Sequence, residues 1–276
     1  MVGGPVVGGP VVGGPVVGGP VVGGPVVGGP VLIGVGVGPG DPDLVTVKAV
    51  RVLRTADVVM VPVKEGEEGR AERVVRAHLA EGSGGPGGSG DRVRRLVFAL
   101  TEEARRDAAW DAAGAATAEA FANGARTVAF ATIGDPNVYS TFTYLAETVR
   151  ELVPGLRVET VPGITAMQAL AATSGTVLVE GRESLALMPL TAGVEPLRHA
   201  LDTHDTVVAY KGGRMLPEVL AAVGDAGRLA DAVYGAALGL PDEEVRPAAG
   251  LDPSAAGPYL SSLLVTRRRT GRGGRL

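Results

Sequence analysis

Three short stretches of the chain carry residue types suited to holding a small ligand: "GVGVGPGDPD" at 34–43, "TIGDPN" at 132–137 and "VPGITA" at 161–166. Each links an apolar run to residues at helical spacing, which reads as strand, tight turn and helix. Glycine lets the main chain approach a ligand closely, and proline stiffens the turn around it. Backbone N–H and C=O groups presented in this way bind a flat, weakly anionic molecule without charged side chains. The spacing argues against the two common phosphate cradles. A dinucleotide site needs G-x-G-x-x-G opening a helix, yet the register from Gly36 runs Gly36, Gly38, Asp41, and the register from Gly34 fails as well. A P-loop fails because no Gly-Lys-Ser/Thr ends the turn. Two side chains in the turns have alternative roles. Asp135 can accept hydrogen bonds from a ligand amino or hydroxyl group, or cap a helix beginning near Tyr139, and Thr165 offers the same pair of roles.

Composition removes other chemistries. The 276 residues include no cysteine, so there is no disulfide, no thiolate nucleophile and no thiolate metal site. His78, His199 and His204 are scattered, and the last two are five apart, off the i, i+4 spacing of a helical metal site. No metal is expected. A net charge of -4 with 45% hydrophobic residues gives no general attraction to nucleic acid or acidic membranes. No 18-residue apolar stretch free of glycine and proline occurs, and no basic start leads into a compact apolar region. The expectation is a cytoplasmic protein with no membrane or nucleic-acid partner.

The elements that must position the turns alternate along the chain. Residues 2–31 are six copies of "VGGPV", an array too rich in proline and glycine for a helix or central strand, and 1–30 is expected to be a disordered appendage. Strands are expected at 31–37 and 57–63, flanking a helix over 43–56, in parallel pairing that puts the loop after the first strand at the carboxyl edge of the sheet. A flexible connection at 81–90 precedes a strand at 95–100, a helix over 103–124 and a strand at 127–133. The second half continues the alternation, with strands at 183–190 and 206–213 and two closing strands around 231–238 and 259–269. An N-terminal α/β domain over 31–150, a C-terminal α/β domain over 151–268 and a solvated basic tail over 269–276 are expected. The three turns should gather at one sheet edge.

Together "GVGVGPGDPDLVTVKAVRVLRTADVVMVPV", "VFALTEEARRDAAWDAA", "GDPNVYSTFTYL" and "VPGITAMQALAA" resemble the tetrapyrrole (corrin/porphyrin) methylase family over residues 31–268. The resemblance implies two α/β domains enclosing S-adenosyl-L-methionine in the cleft between them, in a homodimer. It implies cofactor contacts at Pro39, at Ile133, Gly134, Asp135 and Val138, at Thr165 and Ala166, and in the second domain at Lys211 and Leu238. It is nearest to the branch that methylates carbon 20 of precorrin-2, or its cobalt form, in cobalamin biosynthesis. Where uroporphyrinogen methylases carry a Tyr-Asp pair, this chain has Val61-Pro62, and "YSTFTYL" at 139–145 matches the carbon-20 branch. Tyr139 is the candidate for the substrate side, the alternative being that Tyr139, Phe142 and Tyr144 form the packed face of a helix. At 235–239 the chain reads "GAALG" where that branch shows a charged or polar pair. For the carboxylates of the acceptor, Arg51, Arg94, Arg95 and Arg182 are available, each also readable as a surface charge. Methyl transfer from a sulfonium needs donor and acceptor held in line more than it needs a nucleophile, and no residue is identified as the base. Competing readings are a corrin methylase for another ring carbon, a nucleotide-dependent oxidoreductase, and an interaction protein built around the repeat.

Overall fold

The computed structural model describes residues 28–80, 92–98, 103–191, 193–269 and 271. Most of the "VGGPV" array and the 81–90 connection lie outside them. The last repeat runs into the fold: the Pro30 carbonyl accepts from the Arg157 N–H at 2.9 Å, and Val31 opens the first strand.

The first sheet contains β1 (Val31–Gly36), β2 (Val58–Val63), β3 (Val93–Val97), β4 (Thr127–Thr132) and β5 (Arg157–Val161), in the order β3-β2-β4-β1-β5. All its pairings are parallel. A parallel sheet covered on both faces reads as unbroken apolar runs, and "VVMVPV" and "TVAFAT" are such runs. On one face α1 (Val47–Thr55) and α2 (Arg70–Ala80) bury Leu53, Val74 and Val75 against Val35, Val59 and Val61. On the other, α3 (Glu103–Ala122) and α4 (Phe142–Leu152) cover Leu32, Met60 and Phe130 with Leu145 and Val149. Each of these large side chains contributes about 1.5–3 kcal/mol by leaving water.

The structure corrects several boundaries. The strand at 31–37 and the strand at 57–63 are parallel but not adjacent, because β4 inserts between them. The helix expected from 43 begins at Val47, with the Thr46 hydroxyl capping the Ala49 N–H; a 3-10 turn over Pro42–Leu44 precedes it. The domain boundary expected near residue 150 falls inside α4, and the first sheet still takes β5 from beyond it, so the first lobe extends to Val161.

The second sheet holds β6 (Leu185–Pro189), β7 (Thr206–Tyr210), β8 (Ala232–Ala236), β9 (Glu244–Pro247) and β10 (Ser261–Thr266), in the order β6-β7-β10-β8-β9. Only β6 and β7 pair in parallel; the other pairings are antiparallel. This lobe therefore departs from the regular alternation expected of it. β9, "EVRP", went unread because an edge strand carries charges and proline instead of an apolar run. Helices α6 (Glu195–Thr203) and α7 (Leu216–Asp225) cover one face. The other face receives α5 (Ala166–Ser174), whose Leu170 packs on Val208, Tyr210, Leu238 and Leu264. Because α5 follows β5 directly, the chain leaves the first sheet and seats its next helix on the second. The basic tail is not wholly solvated: Arg269 donates to the Glu183 carboxylate at 2.6 Å and to the Val177 carbonyl at 3.1 Å. Among the described residues, no helix is long and apolar enough to cross a membrane.

Candidate functional site

β4, β1 and β5 are neighbours in the first sheet, so the turns that leave their carboxyl ends lie side by side. They touch through main chain. The Gly134 N–H donates to the Gly38 carbonyl at 2.7 Å, and a side chain at Gly36 would meet the Gly134 oxygen at 2.5 Å and the Gly163 nitrogen at 2.6 Å. Real β-carbons do not approach backbone this closely, so this junction requires glycine. Asp135 braces it. One carboxylate oxygen accepts from the Asn137 N–H at 2.8 Å and the other from the Gly163 N–H at 3.0 Å, which ties the second turn to the third. Asp135 therefore caps no helix: α4 begins at Phe142, later than the start expected near Tyr139, with Thr141 at the N-cap. Thr165 does take a capping position, at the start of α5, where its N–H and hydroxyl both donate to Gln168 Oε1 at 2.9 Å.

The second lobe closes over the turns. The Tyr210 hydroxyl, at the end of β7, accepts from the Met167 N–H at 2.7 Å and so caps the first turn of α5. The Tyr139 hydroxyl donates to the Leu187 carbonyl on β6 at 3.0 Å, and its ring meets that of Tyr210 edge-on at 6.0 Å. Behind the first turn, a β-carbon on Gly40 would lie 2.9 Å from the Leu238 carbonyl, so the "GAALG" segment packs main chain on main chain against "GPGDP".

Between the lobes lies a cavity with about 690 Å³ of space, its open mouth included. Pro39, Ile133, Gly134, Asp135, Val138, Tyr139, Thr165, Ala166, Lys211 and Leu238 all line it, so the residues named from the sequence come together. Arg70, Tyr210, Leu260, Ser261 and Ser262 complete the wall and were missed. For Arg70 a signal existed: Gly69-Arg70 opens a helix after β2, at the same edge of the sheet as the three turns. The serines open β10, and only the pairing of β10 with β7 and β8 brings them here.

Charge in the cavity is sparse. Burial draws the Lys211 ammonium below the ordinary lysine range and pushes the Tyr139 and Tyr210 phenols above theirs. Burial likewise lowers Arg70, with Asp242 acting in the opposite sense. The Lys211 ammonium nitrogen lies 5.8 Å from the centre of the Tyr139 ring and 6.0 Å from that of Tyr259. The described non-glycine residues with left-handed backbone are Tyr139 (φ 50°), Lys211 (φ 61°) and Ala237 (φ 50°), two of them in the cavity wall and the third beside Leu238. Such conformations cost of order 1–3 kcal/mol each and concentrate at functional sites.

Other candidates lie elsewhere. Arg95 pairs with the buried Glu72 at 2.9 Å, and Arg51, Arg94 and Arg182 are exposed away from the cavity wall. Phe142 stacks in the core on Phe130, and Tyr144 stacks on Trp110 at the surface, so the three aromatic residues at 139–144 do not share one packed face. No cluster of histidine and acidic residues suited to a metal occurs among the described residues.

A family model described as Tetrapyrrole (Corrin/Porphyrin) Methylases matches residues 31–250. The chain is 36% identical over 213 residues to a precorrin-2 C(20)-methyltransferase from Sinorhizobium sp, an alignment covering 74% of this chain and 82% of that one. It is 32% identical over 241 residues to the cobalt-precorrin-2 C(20)-methyltransferase of Salmonella typhimurium, covering 86% and 96%. Its fold matches the uroporphyrin-III C-methyltransferase of Thermus thermophilus, solved in complex with S-adenyl homocysteine, with a TM-score of 0.57, 22% identity and coverage of 86% and 97%.

Proposed function

The chain belongs to the tetrapyrrole (corrin/porphyrin) methylases, and from that premise we propose that it transfers the methyl group of S-adenosyl-L-methionine to carbon 20 of precorrin-2, or its cobalt form, in cobalamin biosynthesis. The single observation that carries the reading is the junction of three glycine turns at one sheet edge, roofed by the second lobe. That surface suits the donor. It offers main-chain donors and acceptors with small or apolar side chains, and a folded nucleoside-amino acid needs such groups more than it needs fixed charge.

In this reading Pro39, Ile133, Gly134, Val138, Thr165, Ala166 and Leu238 supply the floor and edges of the donor site, with the Lys211 main chain at its far side. Asp135 holds the floor rigid through its two accepted hydrogen bonds. The bound donor supplies a methyl group on a positively charged sulfur, already activated for displacement. The chain's work is then orientation and exclusion of water, and positioning of this kind is worth roughly 7–11 kcal/mol of barrier. Tyr139, fixed by its bond to Leu187, forms the wall on the acceptor side, and Arg70 faces the same space as a cation for an acceptor carboxylate. The assembly proposed with this function is a homodimer, which sedimentation velocity tests directly.

The decisive experiment is incubation of the purified protein with precorrin-2 and methyl-labelled S-adenosylmethionine, followed by carbon NMR. Label at carbon 20 supports the reading. Label at another ring carbon moves the protein to a different step, and a folded protein that takes up neither the donor nor its thioether product in calorimetry defeats the proposal.

A further inference from the structure

The proposed reaction leaves one proton unassigned, and the cavity contains few groups able to take it. Among the titratable residues of its wall, Asp135 already accepts an N–H on each carboxylate oxygen. The Tyr139 hydroxyl has given its hydrogen to Leu187, and the Tyr210 hydroxyl accepts from Met167. Arg70 stays protonated throughout the physiological range. No histidine lines the wall among the described residues, and Tyr259 stands outside the wall, its ring centre 6.0 Å from the Lys211 nitrogen. Lys211 differs from all of these. It has no carboxylate within ion-pair distance among the described residues, it extends between two phenol rings, and its backbone is held left-handed at φ 61° immediately after β7.

We infer that the Lys211 amine accepts the proton lost from the methylated ring carbon, an inference that rests on the function proposed above. The electrons balance without a further reagent. The sulfur–methyl bond breaks with its pair left on sulfur, and a π pair of the tetrapyrrole forms the new carbon–carbon bond. The carbon–hydrogen bond at that carbon then breaks, its pair returns to the ring system, and the proton passes to the amine. Charge in the cavity alternates accordingly. An ammonium beside a sulfonium would place two positive charges in one poorly solvated space, so the neutral amine is favoured while the donor is intact. Once the donor is a neutral thioether, one positive charge can return, and the faces of Tyr139 and Tyr259 are placed to receive it. Burial lowers the lysine in the same direction.

The test compares wild type with Lys211→Met and Lys211→Arg in single-turnover methylation of precorrin-2 across about pH 6–9. Loss of a positioned base slows such steps by about 10²–10⁴-fold. Both variants should fall in that range, both should lose the rise of rate with pH expected of wild type, and ethylamine should restore part of the Lys211→Met rate. Binding of S-adenosylhomocysteine to both variants, measured by calorimetry, should stay within about threefold of wild type because Lys211 would meet the donor through main chain. A Lys211→Arg variant at wild-type rate overturns the inference, since arginine keeps the charge and cannot take the proton. A Lys211→Met variant that keeps kcat and the pH profile but raises KM for the tetrapyrrole overturns it too, and makes Lys211 a carboxylate contact. If wild type itself fails to methylate precorrin-2, both the function and this inference fall; if only Lys211→Arg behaves as wild type, the inference falls alone.

Discussion

Replacing Asp135 by asparagine keeps the shape of the side chain and changes what it can accept. In the native protein the two carboxylate oxygens take the Asn137 and Gly163 N–H groups at 2.8 and 3.0 Å. An amide offers one oxygen, so one of the two donors would face an NH₂ group. Asp135 is only 9% exposed, which leaves little water to compensate. A hydrogen bond to a charged group contributes about 1.5–3 kcal/mol, and losing one should lower stability by that amount. At about 2–4 °C per kcal/mol for a chain of this size, Tm should fall by about 3–12 °C. Because Asp135 ties the second turn to the third through Gly163 and shapes the second through Asn137, loss of either bond loosens the junction, and the Kd for S-adenosylhomocysteine should rise together with the loss of stability. Scanning calorimetry on the free protein and titration calorimetry with the thioether measure the two quantities. An Asp135→Asn protein with unchanged Tm and weakened binding would refute the bracing role and make the carboxylate a direct ligand contact.

Alanine at Gly163 would drive its β-carbon into the Gly134 carbonyl oxygen, whereas alanine at Gly250 meets nothing within 4 Å, so donor binding measured by calorimetry should be lost in the first variant and kept in the second. Glu72 is fully buried between Arg95 and Arg76. Burial alone would raise its carboxyl, but hydrogen bonds and charge from the two arginines outweigh that and hold it below its ordinary value. A depressed folded-state value contributes stability above the unfolded pKa of about 4.3 and loses it as pH falls through the folded value, so the deficit of Glu72→Gln should shrink in that range. Urea titrations at neutral pH should give a deficit of about 1.5–3 kcal/mol, the range for a hydrogen bond to a charged group, because the two arginines left behind are about half exposed, and a deficit independent of pH would count against the pair. Arg70→Gln should raise KM for the tetrapyrrole about tenfold, a loss near 1.4 kcal/mol, with donor affinity unchanged in calorimetry.

The parallel strands of the first lobe were legible because a sheet covered on both faces writes each strand as an apolar run and each exit as glycine or proline. From that pattern the three turns and their common edge follow. The insertion of β4 between β1 and β2 was not legible, since it depends on contacts between segments far apart in the chain, as the registers Val58 with Val128 and Val31 with Thr127 illustrate. Arg70 was hidden for a different reason. In sequence it is one charge among "EGEEGRAERVV", and its one cue, a helix opening at Gly69-Arg70 after β2, gains meaning only once α2 is placed beside the cavity. The serines that open β10 belong to the same class, residues of ordinary local pattern whose surroundings are set by an antiparallel pairing in the second sheet.

The backbone-to-backbone meeting of Gly36, Gly134 and Gly163 has an evolutionary corollary. A seat made from peptide groups is set by the bend of the chain, so apart from the Asp135 brace, change in neighbouring side chains should leave it largely intact, while mutation of a handful of glycines would erase it. Residues such as Arg70, Tyr139 and Ser262 stand outside that constraint. On the proposed function, exchanges on that wall would alter the target carbon without rebuilding the donor's berth.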